Sequence, residues 1–313
     1  MPCAIRGCAV SSVPIAVEPQ ASGAGRIRLA NFQGIPARLR SHVARSPQLV
    51  SGVAICTIVI FAATLADFLT PQSPLRMRMR DALQPPSILH WFGTDNLGRD
   101  VASRVLHGAQ ISLGIGFSTM VATAALGTAI GLLAGYFPRA DGPLMRVMDA
   151  FMAFPAIMLA VGITAAIGPS GLNAIAALTA VYVPRTSRVV RGSVLALRRL
   201  EFIEAAIAIG GRHRRVLLRH ILPNCLGPLL VQVAFVFAYA ILSEAALSFL
   251  GMGTPPPTPT LGSVIADGRD YVREAPWICF FPGMTLLFAV LGLNMLGDGL
   301  RELLDPHRSA VPS

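Results

Sequence analysis

The chain has 313 residues, 53% of them hydrophobic and 13% charged, against about 25% charged in a typical soluble domain. All 26 cationic side chains are arginine, and the formal net charge is +10. With no lysine the chain can form neither a Walker A phosphate loop nor a Schiff base. Its long uncharged runs separate it from basic nucleic-acid binders, so no nucleic-acid partner is expected.

Residues 1–25 read as a disordered tail and 26–48 as a basic cytoplasmic juxtamembrane segment. Arg6 is followed by no clean apolar stretch, and Pro14 and Pro19 interrupt the region, which argues against a signal peptide. A helix that crosses the hydrocarbon layer needs about 20 mostly apolar residues. Such runs cover Leu49 to Leu69, Ala109 to Tyr136, Met148 to Ile167, Leu172 to Pro184, Leu226 to Leu250 and Trp277 to Leu296. The pattern predicts an all-α polytopic membrane protein with six transmembrane helices. Its parts are a first transmembrane helix at 49–69, an extracytoplasmic loop at 70–108, a five-helix core at 109–301 and a cytoplasmic tail at 302–313. With the N-terminus inside, the inner segments carry 19 arginines and the outer ones 7. The excess of inner positive charge predicts an N-in/C-in topology. Arg76, Arg78 and Arg80 run against it, on the outer loop. Cys225 falls on the cytoplasmic side and Trp277 at the outer interface.

Along the chain, Thr94 or Asp95 is positioned to cap an outer interfacial helix with Leu97, Val101 and Val105 on one face. A calcium loop at Asp95 to Asp100 fails, because Leu97 and Arg99 would occupy ligand positions. Gly127, Gly131 and Gly135 share one face of the second span and read as a close helix contact. Pro155 is expected to kink the third span. Glu244 is the one carboxylate well inside a span, near its outer end. Two readings stay open: a structural acid paired with an arginine such as Arg269, or a gate. Five cysteines and six histidines show no paired or metal-ligand spacing, so no metal, cofactor or catalytic site is expected.

The stretch from Arg198 to Pro228 reads as a short helix over Glu201 to Ile209, stopped at Gly210 and Gly211. Ala205 and Ala206 keep that helix slim, while Phe202, Ile203, Ile207 and Ile209 are too apolar for a freely solvated loop. A second amphipathic stretch sets Val216, Leu217 and Ile221 against Arg212, Arg214, Arg215 and Arg219. Pro223 starts the fifth span. The slim apolar helix needs a cover, and that cover is expected from another chain.

Glu204-Ala205-Ala206, then Gly210, then Leu222-Pro223 resemble the EAA loop of ABC importer permeases, here at about 198–225. His220 stands where the general pattern has Ile, and Gly211 where Ala is more usual. The His220 variant is similar to the peptide/nickel branch of the family. The Glu-Ala-Ala at 244–246 lacks the following Gly and Leu-Pro and is a decoy. Further stretches resemble the C-type subunit of the dipeptide/oligopeptide permeases: His90 to Asp100, Gly131 to Phe137, Ala245 to Gly251, Asp267 to Tyr271, Leu296 to Arg301 and Asp305-Pro306. The resemblance spans roughly 36–308.

It implies a type I ABC importer permease fold in the bacterial cytoplasmic (inner) membrane, with no catalysis of its own. The implied partners are a second homologous permease subunit, two ATP-binding cassette ATPase subunits, an extracytoplasmic substrate-binding protein and membrane lipid. The EAA loop would form the coupling helix that seats in the ATPase, and 251–276, with Asp267, Asp270 and Glu274, would face the binding protein. The solute would be a peptide or similar small solute, with nickel or another non-peptide solute as the alternative. A stand-alone secondary transporter, the reading from a different class, would show inverted repeats with broken spans; none is found.

Overall fold

A computed structural model describes residues 47–70 and 72–304. The expected tail at 1–25, nearly all of 26–48, Asp305-Pro306 and most of 302–313 lie outside the described residues. Chain order gives α1 (Pro47–Thr64), α2 (Ala66–Leu69), α3 (Val101–Tyr136), α4 (Pro138–Met152), α5 (Ala156–Ile167) and α6 (Gly171–Leu197). Then come α7 (Glu201–Ala208), α8 (His213–Val216), α9 (Leu222–Phe249), α10 (Leu261–Gly268) and α11 (Trp277–Leu304).

Four continuous stretches are long and apolar enough to cross a membrane: α1, α3, α8 running into α9, and α11. A fifth counts if α4 and α5 form one broken span. The helix α6 falls outside this group because Arg185, Arg188 and Arg191 occupy its C-terminal half.

Several boundaries differ from the expectation. Of the helix expected at Leu97 to Val105, Leu97 lies in the preceding turn and only the part from Val101 is helical, as the start of α3, whose 36 residues make a rod of about 54 Å. Its N-cap is Asp100, whose side chain accepts from the Ser103 amide at 2.8 Å, rather than Thr94 or Asp95. Pro155 does more than kink a helix. It ends α4 and precedes α5, and the two axes meet at 92°. The charges of α4 draw it along α6, where Asp141 and Asp149 pair with Arg191 and Arg188. Pro184 lies inside α6, which continues to Leu197 where a loop was expected. Ser170 caps α6, accepting from the Asn173 amide at 3.1 Å.

Close backbone approach organises the bundle. A Cβ on Gly127 would lie 2.8 Å from Thr186, one on Gly131 2.6 Å from the Ser187 carbonyl, and one on Gly135 2.6 Å from Val194. The glycine face of α3 is therefore a packed contact with α6. α1 lies as closely on α11, where a Cβ on Gly52 would meet the Leu296 amide at 2.6 Å. One core, at the α7 end, joins Leu132, Val190, Val194, Ile203 and Ile221. A second, at the Trp277 end, joins Ala63, Val101, Val105, Leu261 and Ile278.

Candidate functional site

At one end of the bundle, α6 hands over to α7 through Arg198, Arg199 and Leu200. Eight residues are too few for a helix to hold itself together, so α7 depends on its neighbours. Ile203 is its one buried residue, seated among Leu132, Val190, Val216 and Ile221. Burying one isoleucine is worth about 1.5–3 kcal/mol. Against it, Phe202 is 48% exposed, Ile207 40% and Ile209 86%. The helix thus leaves more apolar surface open than it covers. Glu204 and Ala205 are exposed and Ala206 is half-buried.

The turn after α7 requires both of its glycines. Gly210 has φ +79, the left-handed conformation that ends helices. A Cβ on Gly211 would lie 2.4 Å from the Ala206 carbonyl. α8 and a π-helical turn at Leu217–Ile221 then lead into α9. Leu222 packs against the same core as Ile203, while Pro223 is exposed, just after the π-helical turn that leads into α9. Glu204, Ala205, Ala206 and Gly210 therefore form one surface. Leu222 meets them only through the core, and Pro223 does not join them.

Two features of this end escaped the sequence reading. The Tyr136 hydroxyl and His213 Nδ1 share a hydrogen bond of 2.9 Å, and the Arg198 guanidinium lies 5.8 Å over the Tyr136 ring. This ties the end of α3 to the segments on both sides of α7. Arg191 forks onto Asp141 at 2.5 and 2.6 Å, and Arg188 pairs with Asp149. These bonds lash α4 along α6. A run of arginines after an apolar span signals a boundary but not the acids, 39 and 50 residues away, that Arg188 and Arg191 meet.

At the other end, Asp95 is fully buried. Its Oδ2 accepts from Arg99 at 2.6 Å and from Arg104 at 2.7 Å, and both arginines also reach Asp267, at 3.0 and 2.9 Å. Asp267 is thus engaged within the chain rather than free to greet a partner. His90 contacts Asp100 at 2.9 Å, and the Trp277 indole donates to the Thr94 carbonyl at 3.1 Å.

Glu244 does not pair with Arg269, which meets Asp270 at 3.5 Å instead. Its carboxyl is buried between α3, α9 and α10. Ser248 donates to Oε1 at 2.6 Å, the Ser112 and Thr260 hydroxyls face it, and Oε2 has no hydrogen-bond partner. Cys225 is also buried, in the core around Ile203. Among the described residues no group of three acidic, histidine or cysteine side chains could hold a metal.

Residues 127–310 match the profile of the binding-protein-dependent transport system inner membrane components. The chain belongs to this family. Such inner membrane components are the permeases of ABC transporters, multi-pass and non-catalytic, coupled to ATPase activity that resides in separate subunits. Among similar proteins, a Brucella suis protein assigned to a peptide transport system as its permease is 53% identical over 82% of this chain and 86% of its own. The dipeptide transport system permease protein DppC of Alkalihalophilus pseudofirmus is 45% identical over 82% of this chain and 85% of its own. DppC of Pseudomonas aeruginosa, a di/tripeptide transport system permease, is 40% identical over 82% and 87%. The fold resembles that of the MetNI methionine ABC transporter in its inward-facing conformations, with a TM-score of 0.53 at 18% identity. That match covers 64% of this chain and 96% of the MetNI chain. The fold is that of a type I importer permease.

Proposed function

We propose that this inner membrane component forms half of the translocation path of an importer for peptides, and that it couples to its ATPases through α7. The observation that carries the coupling is the exposed apolar surface of α7, whose one buried residue is Ile203. Glu204, Ala205, Ala206 and Gly210 present that surface to the ATPase. Leu222 and Pro223 set the angle at which the loop, about 198–225, returns to the bundle. Peptide as the solute is supported by the names of the relatives.

The assembly comprises a second homologous permease subunit, two ATP-binding cassette ATPases and an extracytoplasmic substrate-binding protein. An apolar hollow of about 440 Å³ supports the second subunit. It opens sideways between α3, α4 and α6 and is lined by Leu126, Phe151, Thr179 and Val183 among others. The topology is six spans, N-in/C-in, with α4–α5 as the third span and α6 as the fourth. The arginines of α6 then lie at the cytoplasmic headgroups. The first transmembrane helix, the extracytoplasmic loop and the five-helix core from 109 onward follow from that topology. Glu244 serves as a structural acid joining α3, α9 and α10.

Glu204→Arg tests the coupling. We expect normal insertion and assembly, with ATP hydrolysis no longer driving uptake in proteoliposomes. Uptake at the native ratio to ATP hydrolysed would refute the role of α7.

A further inference from the structure

The loop between α2 and α3 carries an apolar patch that none of the described residues covers. Ile88 is 95% exposed, Leu89 79% and Trp91 58%. The loop is no floppy excursion. Buried Asp95 clamps it through Arg99 and Arg104, and the Leu97 carbonyl accepts from the Arg78 amide at 3.1 Å. These side chains are therefore held outward by a rigid base.

Their height is set by neighbouring contacts. Phe92, next to Trp91, stacks on Phe281, one turn into α11, with ring centroids 4.0 Å apart and planes 7° from parallel. The Gln72 amide donates to the Leu89 carbonyl at 3.1 Å, while the Gln72 carbonyl accepts from Ser103, in the first turn of α3, at 2.7 Å. Asp67 meets His107 at 3.0 Å. Residues 67–70, Gln72 and 87–92 thus lie around the ends of α1, α3 and α11, where the apolar runs of α1 and α11 stop and hydrocarbon is expected to give way to water. Phe68 at the end of α2 and Phe280 in the first turn of α11 are exposed as well. Tryptophan prefers that boundary. The same loop exposes Leu75 to Arg80, in which Leu75, Met77 and Met79 alternate with Arg76, Arg78 and Arg80. Among the described residues only Arg78 has an acidic neighbour, Asp81 at 3.9 Å. Arginine binds phosphate well, and anionic lipid attracts basic segments beside a span.

We propose that this loop rests on the membrane surface, with Ile88, Leu89 and Trp91 seated among the lipid headgroups and Arg76, Arg78 and Arg80 on anionic lipid phosphates. Three arginines on the loop that the topology places outside are then ligands of the outer leaflet. The proposal concerns depth, not side. A bilayer brominated in both leaflets reads depth alone, so its outcome is independent of the topology.

The test is fluorescence of the assembled importer in nanodiscs of phosphatidylcholine and phosphatidylglycerol, native against Trp91→Phe. The difference between the two is the signal of Trp91. Lipids brominated high on the acyl chain should quench most of it, and lipids brominated near the chain end much less. Quenching by acrylamide without quenching by lipid would place the patch in water and overturn the proposal. Protection from both would mean a protein cover and would overturn it equally. For the arginines, bromine carried on phosphatidylglycerol should quench more than bromine on phosphatidylcholine in mixed discs. The triple change R76Q/R78Q/R80Q should abolish that preference and leave the depth profile intact. No preference in the native protein would remove the arginines from the proposal.

Discussion

Asp95 shows how one side chain can hold a loop to a bundle. Its Oδ1 accepts from the Leu97 and Arg99 amides, both at 2.9 Å, while Oδ2 takes both arginines. A buried ion pair is not strongly stabilising in itself, but removing one partner leaves the other charge stranded. Asp95→Ala should therefore cost on the order of 3 kcal/mol. Thermal unfolding in detergent would show the loss, with proteolysis of the outer loop beginning early. Asp267→Asn, at a carboxylate that is 40% exposed, should cost clearly less. Equal effects would mean that the cluster acts through Asp267. Sequence alone suggests a capping role for Asp95, because an Asp before an apolar run has that signature. The cap is Asp100, five residues on, and the glycine turn between them puts Asp95 inside the fold.

Among the elements, apolar content was legible and backbone continuity was not. The spans of α1, α3, α9 and α11 follow from uncharged runs, and α7 from its apolar spacing and terminal glycines. The full length of α6 was hidden because arginine lowers hydropathy without breaking a helix; it is among the better helix formers. The break between α4 and α5 was only half visible. Pro155 marks a disturbance, but the 92° turn comes from ion pairs to α6 that no local pattern encodes.

The glycine face of α3 yields a paired prediction. A side chain at Gly131 must displace the Ser187 carbonyl and Val190. Gly131→Leu should thus cost about 1–3 kcal/mol from overpacking and lower the melting temperature of the purified protein. At Gly114, on the same helix, an added methyl group would meet nothing within 4 Å. Gly114→Ala should stabilise by about 0.4–1 kcal/mol, by restricting the unfolded chain. A melting-temperature series of the two variants separates packing from propensity.

At the scale of the molecule, the two ends of the bundle differ in kind. The Trp277 end is closed by the Asp95 cluster, the capped α10 and an aromatic stack. The α7 end carries the arginines of α6, of α8 and of the turn that follows it. Cys225, which the sequence offered as a reporter of side, is buried and will react slowly from either face. Exposed positions serve better. A cysteine introduced at Ile209 should react with a charged maleimide only after cells are permeabilised, and one at Met79 should react in intact cells. The reverse pattern would invert the topology. The apolar spans and the apolar spacing of α7 could be read from local periodicity, and the importer fold from the resemblance of the EAA loop. The lashings that hold α4, α7 and the outer loop could not, because each joins residues far apart in the chain.

Ile203 is the only residue that α7 plants in the bundle, and that fixes the kind of motion it can pass on. A peg set in a single socket carries thrust but little torque. A partner that pushes along the line through Ile203 drives α3, α6 and α9 together, since all three line its socket. On the proposed coupling, a partner that merely rolled α7 about that point would leave the socket where it is, and displacement of α7 would be the motion that reaches the membrane.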